Sequence, residues 1–115
     1  VKYAAAFLIT LLSSCLAWAH LPDRPDLDSW AMSLQNGRGS ICCDFTEAQD
    51  LADADWDTTL VAGKPHYRVK FHEQWLIVDD ESVVVAPNRY GAALAWIVYL
   101  DGKPWVKCFL KGTEI

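Results

Sequence analysis

The sequence predicts a mainly β (α+β) domain: an antiparallel sheet of five or six strands, or a small barrel, with one short N-terminal helix and a disulfide staple. Three observations carry this. From residue 57 onward apolar and polar residues alternate with a period of two, broken by turn residues. Ahead of that region, one short stretch places apolar residues at helical spacing. Cys42, Cys43 and Cys108 then offer a covalent link between the two regions.

The N-terminus reads as an address rather than as fold. Lys2 is the only charge before Asp23, an apolar run (YAAAFLITLL) follows it, and Ala17-Trp18-Ala19 closes the segment. A basic start, a short apolar run and a small-residue step are the parts of a secretory signal peptide. The run falls short of the roughly 20 residues a bilayer span needs. Residues 1–19 are therefore expected to be removed, leaving one β-rich domain over 20–115. Leu12-Ser13-Ser14-Cys15 offers a second route, lipidation of Cys15 in the manner of a bacterial lipoprotein.

The elements follow in order. His20–Pro25 is an extended leader stiffened by Pro22 and Pro25. Asp26 can cap a helix in which Leu27, Trp30, Ala31 and Leu34 fall at i, i+3, i+4 and i+7, and Asn36–Gly37 ends it. Gly37–Ser40 is a turn that delivers the cysteine pair. Thr46–Asp50 reads as one helical turn, with Thr46 and Gln49 in capping-box positions. His66–Phe71 alternates strictly, setting Tyr67, Val69 and Phe71 on one face and His66, Arg68 and Lys70 on the other. His72-Glu73 is a hairpin turn into Gln74–Val78, and Asp79–Glu81 a turn into a strand over Ser82–Ala86. Pro87–Gly91 breaks the sheet before the apolar run Ala93–Leu100. Asp101-Gly102 is the strongest hairpin signal in the chain. The last strand, Trp105–Lys111, is expected to send Val106, Cys108 and Leu110 to the core, leaving Trp105, Lys107, Phe109 and Lys111 on the opposite face.

Charge narrows the function classes. The chain has 10 basic and 15 acidic side chains, a formal charge of −5, and loss of Lys2 moves it further to the acid side. That balance argues against nucleic acid and anionic membrane surfaces as partners, since both want a basic face. Asp44, Glu47, Asp50, Asp53, Asp55 and Asp57 occur within fourteen residues with no base among them, so a cationic partner would dock there. The six tryptophans are many for so short a chain and supply buried area efficiently.

Export permits disulfides. Cys42 and Cys43 are adjacent and strained as a pair, so one of them, Cys43 or alternatively Cys42, is expected to reach Cys108. The bridge would close a loop of about 65 residues and contribute about 3–4 kcal/mol. One thiol is then left over.

A resemblance covers the chain from Trp30 to Gly112. Trp30, the glycine turn, Cys42-Cys43-Asp44, Tyr67-Arg68-Val69, Trp75, Asn88 with Gly91, Trp96 and Cys108-Phe109-Leu110-Lys111-Gly112 resemble a group of small exported proteobacterial proteins. Their pattern is a tryptophan helix, a Cys-Cys-x-x-x-Asp-Cys-like cluster, a sheet and a terminal Cys-Phe-x-x-Gly. The resemblance implies export and a framework but no chemistry. The third cysteine of the cluster, expected near Glu47 and Ala48, is missing here.

Candidate sites are few. Asp53, Asp55 and Asp57 repeat the opening of a calcium loop, but Thr58 replaces its glycine and Lys64 stands where its bidentate glutamate belongs. His20, His66, His72 and the cysteines are possible soft-metal ligands without a ligand spacing, and His66 and His72 are about 20 Å apart by strand rise. A thiol nucleophile at Cys42 or Cys43 would need a histidine base. Trp75, Trp105, Lys107, Phe109 and Lys111 could form an aromatic and basic binding face, or else cover the helix bearing Trp30. The expectation is an exported, periplasmic or secreted, non-enzymatic binding module. It would have no cofactor and no nucleic-acid partner, and it would bind a protein or cell-envelope component. Metal- or thiol-dependent activity at Cys42-Cys43, and cell-wall glycan binding by the aromatic face, are the alternatives.

Overall fold

The computed structural model describes residues 24–43 and 46–113. The signal segment 1–19, lipidation at Cys15, most of the leader and Asp44 lie outside the described residues.

Pro25 opens a 3-10 turn, Pro25–Leu27, which leads directly into helix α1, Asp28–Ser33. Leu27, Ala31 and Leu34 are buried as their spacing predicts, with Trp30 packed beside them. Two three-stranded antiparallel sheets follow. The first has the order β1-β5-β6, built from β1 (Ala48–Leu51), β5 (Ala93–Leu100) and β6 (Lys103–Leu110). The second has the order β2-β3-β4, from β2 (Trp56–Val61), β3 (Lys64–Phe71) and β4 (Gln74–Ile77). The expectation of one five- to six-stranded sheet or barrel is thus corrected. The chain leaves β4 through a 3-10 turn at Asp80–Ser82 and crosses as an extended segment. Only Val83 of Ser82–Ala86 makes a bridge, to Phe109, so this stretch is no full strand and the sheets stay separate.

The first sheet is the middle layer. On one face Leu94, Trp96, Cys108 and Leu110 meet the helix residues, Cys42 and Val84. On the other face Ala93, Ala95, Ile97, Val106 and Phe109 meet Val69 and Val78, with Trp56, Tyr67, Phe71 and Leu76 around them. A central strand covered on both sides reads as a continuous apolar run, which is what Ala93–Ile97 shows.

Lys107 corrects the predicted parity of the last strand. Trp96 pairs with Cys108 but Ile97 pairs with Val106, so Lys107 is an extra residue, a β-bulge. The bulge turns Val106 and Phe109 to the same face, against the second sheet. Cys108 and Leu110 face the helix instead. Thr46–Asp50 is likewise no helical turn: Ala48–Leu51 is an edge strand whose two end residues are buried on opposite faces.

Each of the three hairpins closes through two residues at positive φ: Ala62 (51°) with Gly63 (80°), His72 (47°) with Glu73 (65°), and Asp101 (51°) with Gly102 (77°). The last two are the turns the sequence predicts. Two positive φ angles match the twist of the flanking strands, but a Cβ there costs about 1–2 kcal/mol. Ala62→Gly is therefore expected to raise stability by about 1 kcal/mol, net of glycine's entropy. Denaturant unfolding would show a higher midpoint at unchanged slope.

Candidate functional site

The cysteines are placed first by geometry. Cys42 bonds Cys108, with Cα atoms 5.7 Å apart, and both residues are fully buried. The predicted partner Cys43 is free. Neighbours along an extended chain point to opposite sides. Once Cys42 is aimed into the helix-side core where Cys108 emerges, Cys43 is turned away. Its Sγ donates to the Ala31 carbonyl at 3.4 Å. Burial pushes the Cys43 thiol above its ordinary value of 9.0. Trp96 opposes this, the Asp28 charge adds to it, and Lys107 opposes it in turn. The buried Trp96 indole N–H makes no hydrogen bond among the described residues. A protonated, half-buried thiol is a poor nucleophile. His66 and His72 are committed elsewhere: the His66 ring meets the Lys64 carbonyl and Asp80, and the His72 ring packs edge-on against Phe71.

The acidic loop is dispersed. Asp53–Asp55 is a 3-10 turn, whereas Asp57 lies in β2 and is gripped by Arg68, with Nε–Oδ1 2.6 Å and Nη2–Oδ2 3.0 Å. Asp50 accepts from the Tyr90 hydroxyl at 3.0 Å. Among the described residues no three His, Cys, Asp or Glu side chains converge as a metal site.

The predicted aromatic face also comes apart. Phe109 is fully buried, its ring 5.0 Å from Tyr67 and 5.6 Å from Trp56. This removes it from any binding surface, and the Lys107 bulge is the reason. Trp105 is half-buried under Arg38, whose guanidinium carbon is 5.1 Å from the ring centroid, and its Nε1 donates to Asp79 at 3.1 Å. Arg38 also pairs with Glu81 and donates to the buried Ser82 hydroxyl. The cluster thereby ties the turn after α1 to the crossover. The Lys107 carbonyl accepts from Asn36, and the Lys111 carbonyl from Asn88. Both are edge-capping contacts.

Of the three predicted aromatic side chains, Trp75 is the exposed one. It pairs with Lys70 on the face of the second sheet opposite Val69, and 38 % of it is exposed. The Arg68 guanidinium carbon lies 4.1 Å from its ring centroid, a close cation–π contact. Asp57 anchors Arg68 from the other side, and Ile77 is exposed beside it on the same face. Lys70 reaches Glu73 at 3.7 Å. The sequence singles out Trp75 for a binding face, offers Asp57 only as a calcium-loop candidate and places Arg68 only on the polar face of its strand. Strand alternation across the two-residue turn was the available signal, because it sets Arg68 diagonal to Trp75.

Hydrogen bonds from Arg68 hold the Asp57 carboxyl below its ordinary 3.8, opposed by desolvation and reinforced by the guanidinium charge. A lowered native value means the pair is intact above the ordinary carboxylate range and is lost as pH falls through the native value. Trp75 emission is therefore expected to change on acidification below pH 3.8, and Asp57→Asn to show the acid-state emission at neutral pH.

The architecture defines a class: a small disulfide-stapled domain in which one sheet is layered between a short helix and a second sheet. No protein-family model matches the chain, and neither a curated protein nor a solved structure matches it.

The residues behind the resemblance have framework roles. Asn88 Oδ1 accepts from the Tyr90 and Gly91 amides, and its Nδ2 donates to the Ala92 and Lys111 carbonyls. A Cβ at Gly112 would come within 3.1 Å of the Ala93 nitrogen. These residues hold the loop after Pro87 to the end of β6.

Proposed function

We propose that this protein is an exported, non-enzymatic binding module whose contact surface is the outer face of the second sheet around Trp75. The observation that carries the reading is the Trp75–Arg68–Asp57 stack: an exposed indole held by a guanidinium that a carboxylate anchors. An indole fixed in this way has lost its rotamer freedom before a ligand arrives, which lowers the cost of binding. The buried Cys42–Cys108 disulfide supports export, since such bridges persist in oxidising compartments. No helix among the described residues is long and apolar enough to cross a membrane.

Cell-wall glycan is the ligand class the patch fits. A sugar ring stacks on an indole, while Arg68, Asp57 and Lys70 offer donors and acceptors to its hydroxyls. Co-sedimentation with purified peptidoglycan sacculi tests this. Trp75→Ala should abolish binding while the protein stays folded, its unfolding midpoint lowered only by loss of the Arg68 contact, and Cys43→Ser should leave binding intact. Binding lost in Cys43→Ser and kept in Trp75→Ala would instead support thiol-dependent activity at the cysteine pair.

A further inference from the structure

The two sheets have four edges, and three of them are short or covered. The outer edge of β6 is capped by Asn36 Nδ2 on the Lys107 carbonyl at 2.9 Å and by the Val84 amide on the Phe109 carbonyl at 2.8 Å. β1 and β4 have four residues each. β2 has six, Trp56–Val61, with no lysine, proline or bulge among them. It ends in Leu60 and Val61, 71 % and 38 % exposed. Charged side chains, lysine above all, proline and bulges are what proteins use to stop an edge from pairing; β2 lacks lysine, proline and a bulge, and its one charge, Asp57, is engaged by Arg68.

The pattern of this edge can be read from its hairpin. The two-residue turn makes Val61–Lys64 a hydrogen-bonded pair, and Thr59–His66 and Asp57–Arg68 follow by alternation. Pro65, which has no N–H, accordingly stands opposite Leu60 in a non-bonded pair. The backbone N–H and C=O of Trp56, Thr58 and Leu60 therefore point away from β3. Among the described residues no backbone hydrogen bond outside the hairpin takes them up.

The geometry points to a second copy of this chain as the occupant: β2 pairs with β2 of the other copy, antiparallel about a two-fold axis at Thr58. In that register Trp56 faces Leu60 of the second copy and Thr58 faces its own equivalent, so all the outward backbone groups of Trp56, Thr58 and Leu60 are satisfied reciprocally. Trp56, Thr58 and Leu60 share one face. Beside Trp56 and Thr58 a groove of about 870 Å³ runs along this edge, bounded also by Asp53, Asp57, Gly91, Ala92 and Thr113. Leu60 of the second copy lands against Trp56 at this groove and buries the most exposed apolar side chain of the edge. Charge selects the same register. Asp57 faces Thr59, whereas a centre at Trp56 would set Asp57 against Asp55. The Lys64 end of each hairpin approaches the Asp53–Asp55 turn of the other, and among the described residues neither group has an ion-pair partner. An isologous contact of this kind closes on itself as a dimer. It joins the two second sheets into six continuous strands and sets both Trp75 faces on one side, but it does not depend on what those faces bind.

Sedimentation velocity of the processed, disulfide-intact protein over a concentration series tests the proposal. The expected result is a monomer–dimer equilibrium that Thr58→Pro and Leu60→Asp each abolish and Trp75→Ala leaves unchanged. Neither Thr58 N–H nor the Leu60 side chain supports the monomer, so both variants should keep the native circular dichroism. Hydrogen exchange on the unmodified protein gives a reading independent of any variant: the Thr58 and Leu60 amides should slow as the dimer forms. A monomer at every concentration overturns the inference. So does a dimer indifferent to both edge variants, or slowing of these amides only when an unrelated extended peptide is added.

Discussion

Removing the Cys42–Cys108 bridge is expected to cost about 4 kcal/mol. The two cysteines are 66 residues apart, and a cross-link over so long a loop removes a large part of the unfolded chain's entropy. The bridge ties the segment after α1 to β6 at the middle of the helix-side core. Without it, that layer is held on the first sheet by side-chain packing and the Asn36 hydrogen bond to the Lys107 carbonyl. The double variant Cys42→Ala with Cys108→Ala should shift the guanidinium midpoint down by the full amount, whereas Cys43→Ser should move it by less than about 1 kcal/mol. Equal effects from both would mean that Cys43 shares the bridge.

Phe109→Ala is expected to cost about 3–5 kcal/mol, the range for deleting a fully buried aromatic ring. Its ring fills the space between Trp56 and Tyr67, where the two sheets meet, and nothing nearby can collapse into the gap without moving β3. Trp105→Ala, three pairs further along the hairpin, should cost less, because its ring is half-buried and held by Arg38 and Asp79 at the surface. The contrast matters because alternation along β6 predicts that these two residues share an outward face. A small effect at Phe109 in urea unfolding would restore that reading and contradict the bulge at Lys107.

Local chemistry was legible in the sequence where it decides the structure by itself. Leu27, Ala31 and Leu34 announce the buried stripe of α1. His72-Glu73 and Asp101-Gly102 announce their hairpins, and Tyr67, Val69 and Phe71 the inward face of β3. The misses share one physical cause, a tertiary contact overriding a local pattern. Lys107 has no property that marks a bulge; the extra residue is needed to turn Phe109 toward the second sheet while keeping Cys108 beside Cys42. Thr46 and Gln49 have capping chemistry, yet Ala48 and Leu51 gain more by burying on opposite faces of β5. The split into two sheets is set by the crossover at Asp80–Ala86, whose apolar valines look like a strand whether or not a partner is in reach.

The candidate site was legible in part for the same reason. Trp75 stands out by type, and Arg68 by its place on the polar face of β3. Their contact depends on the register of one turn and on Asp57 from a third strand. Trp105, by contrast, is removed from the binding face by Arg38, which is 67 positions away in the chain. No local pattern reports such a contact.

The most direct measurement is a ¹H–¹⁵N correlation titration of the labelled, disulfide-intact protein with soluble peptidoglycan fragments. A contact surface at Trp75 predicts shifts in its indole N–H and in the backbone amides of Arg68, Lys70 and Ile77, with the Trp96 and Trp105 indole signals unmoved. Shifts centred on Cys43 and Trp96 instead, with the Trp75 signal unmoved, would contradict it.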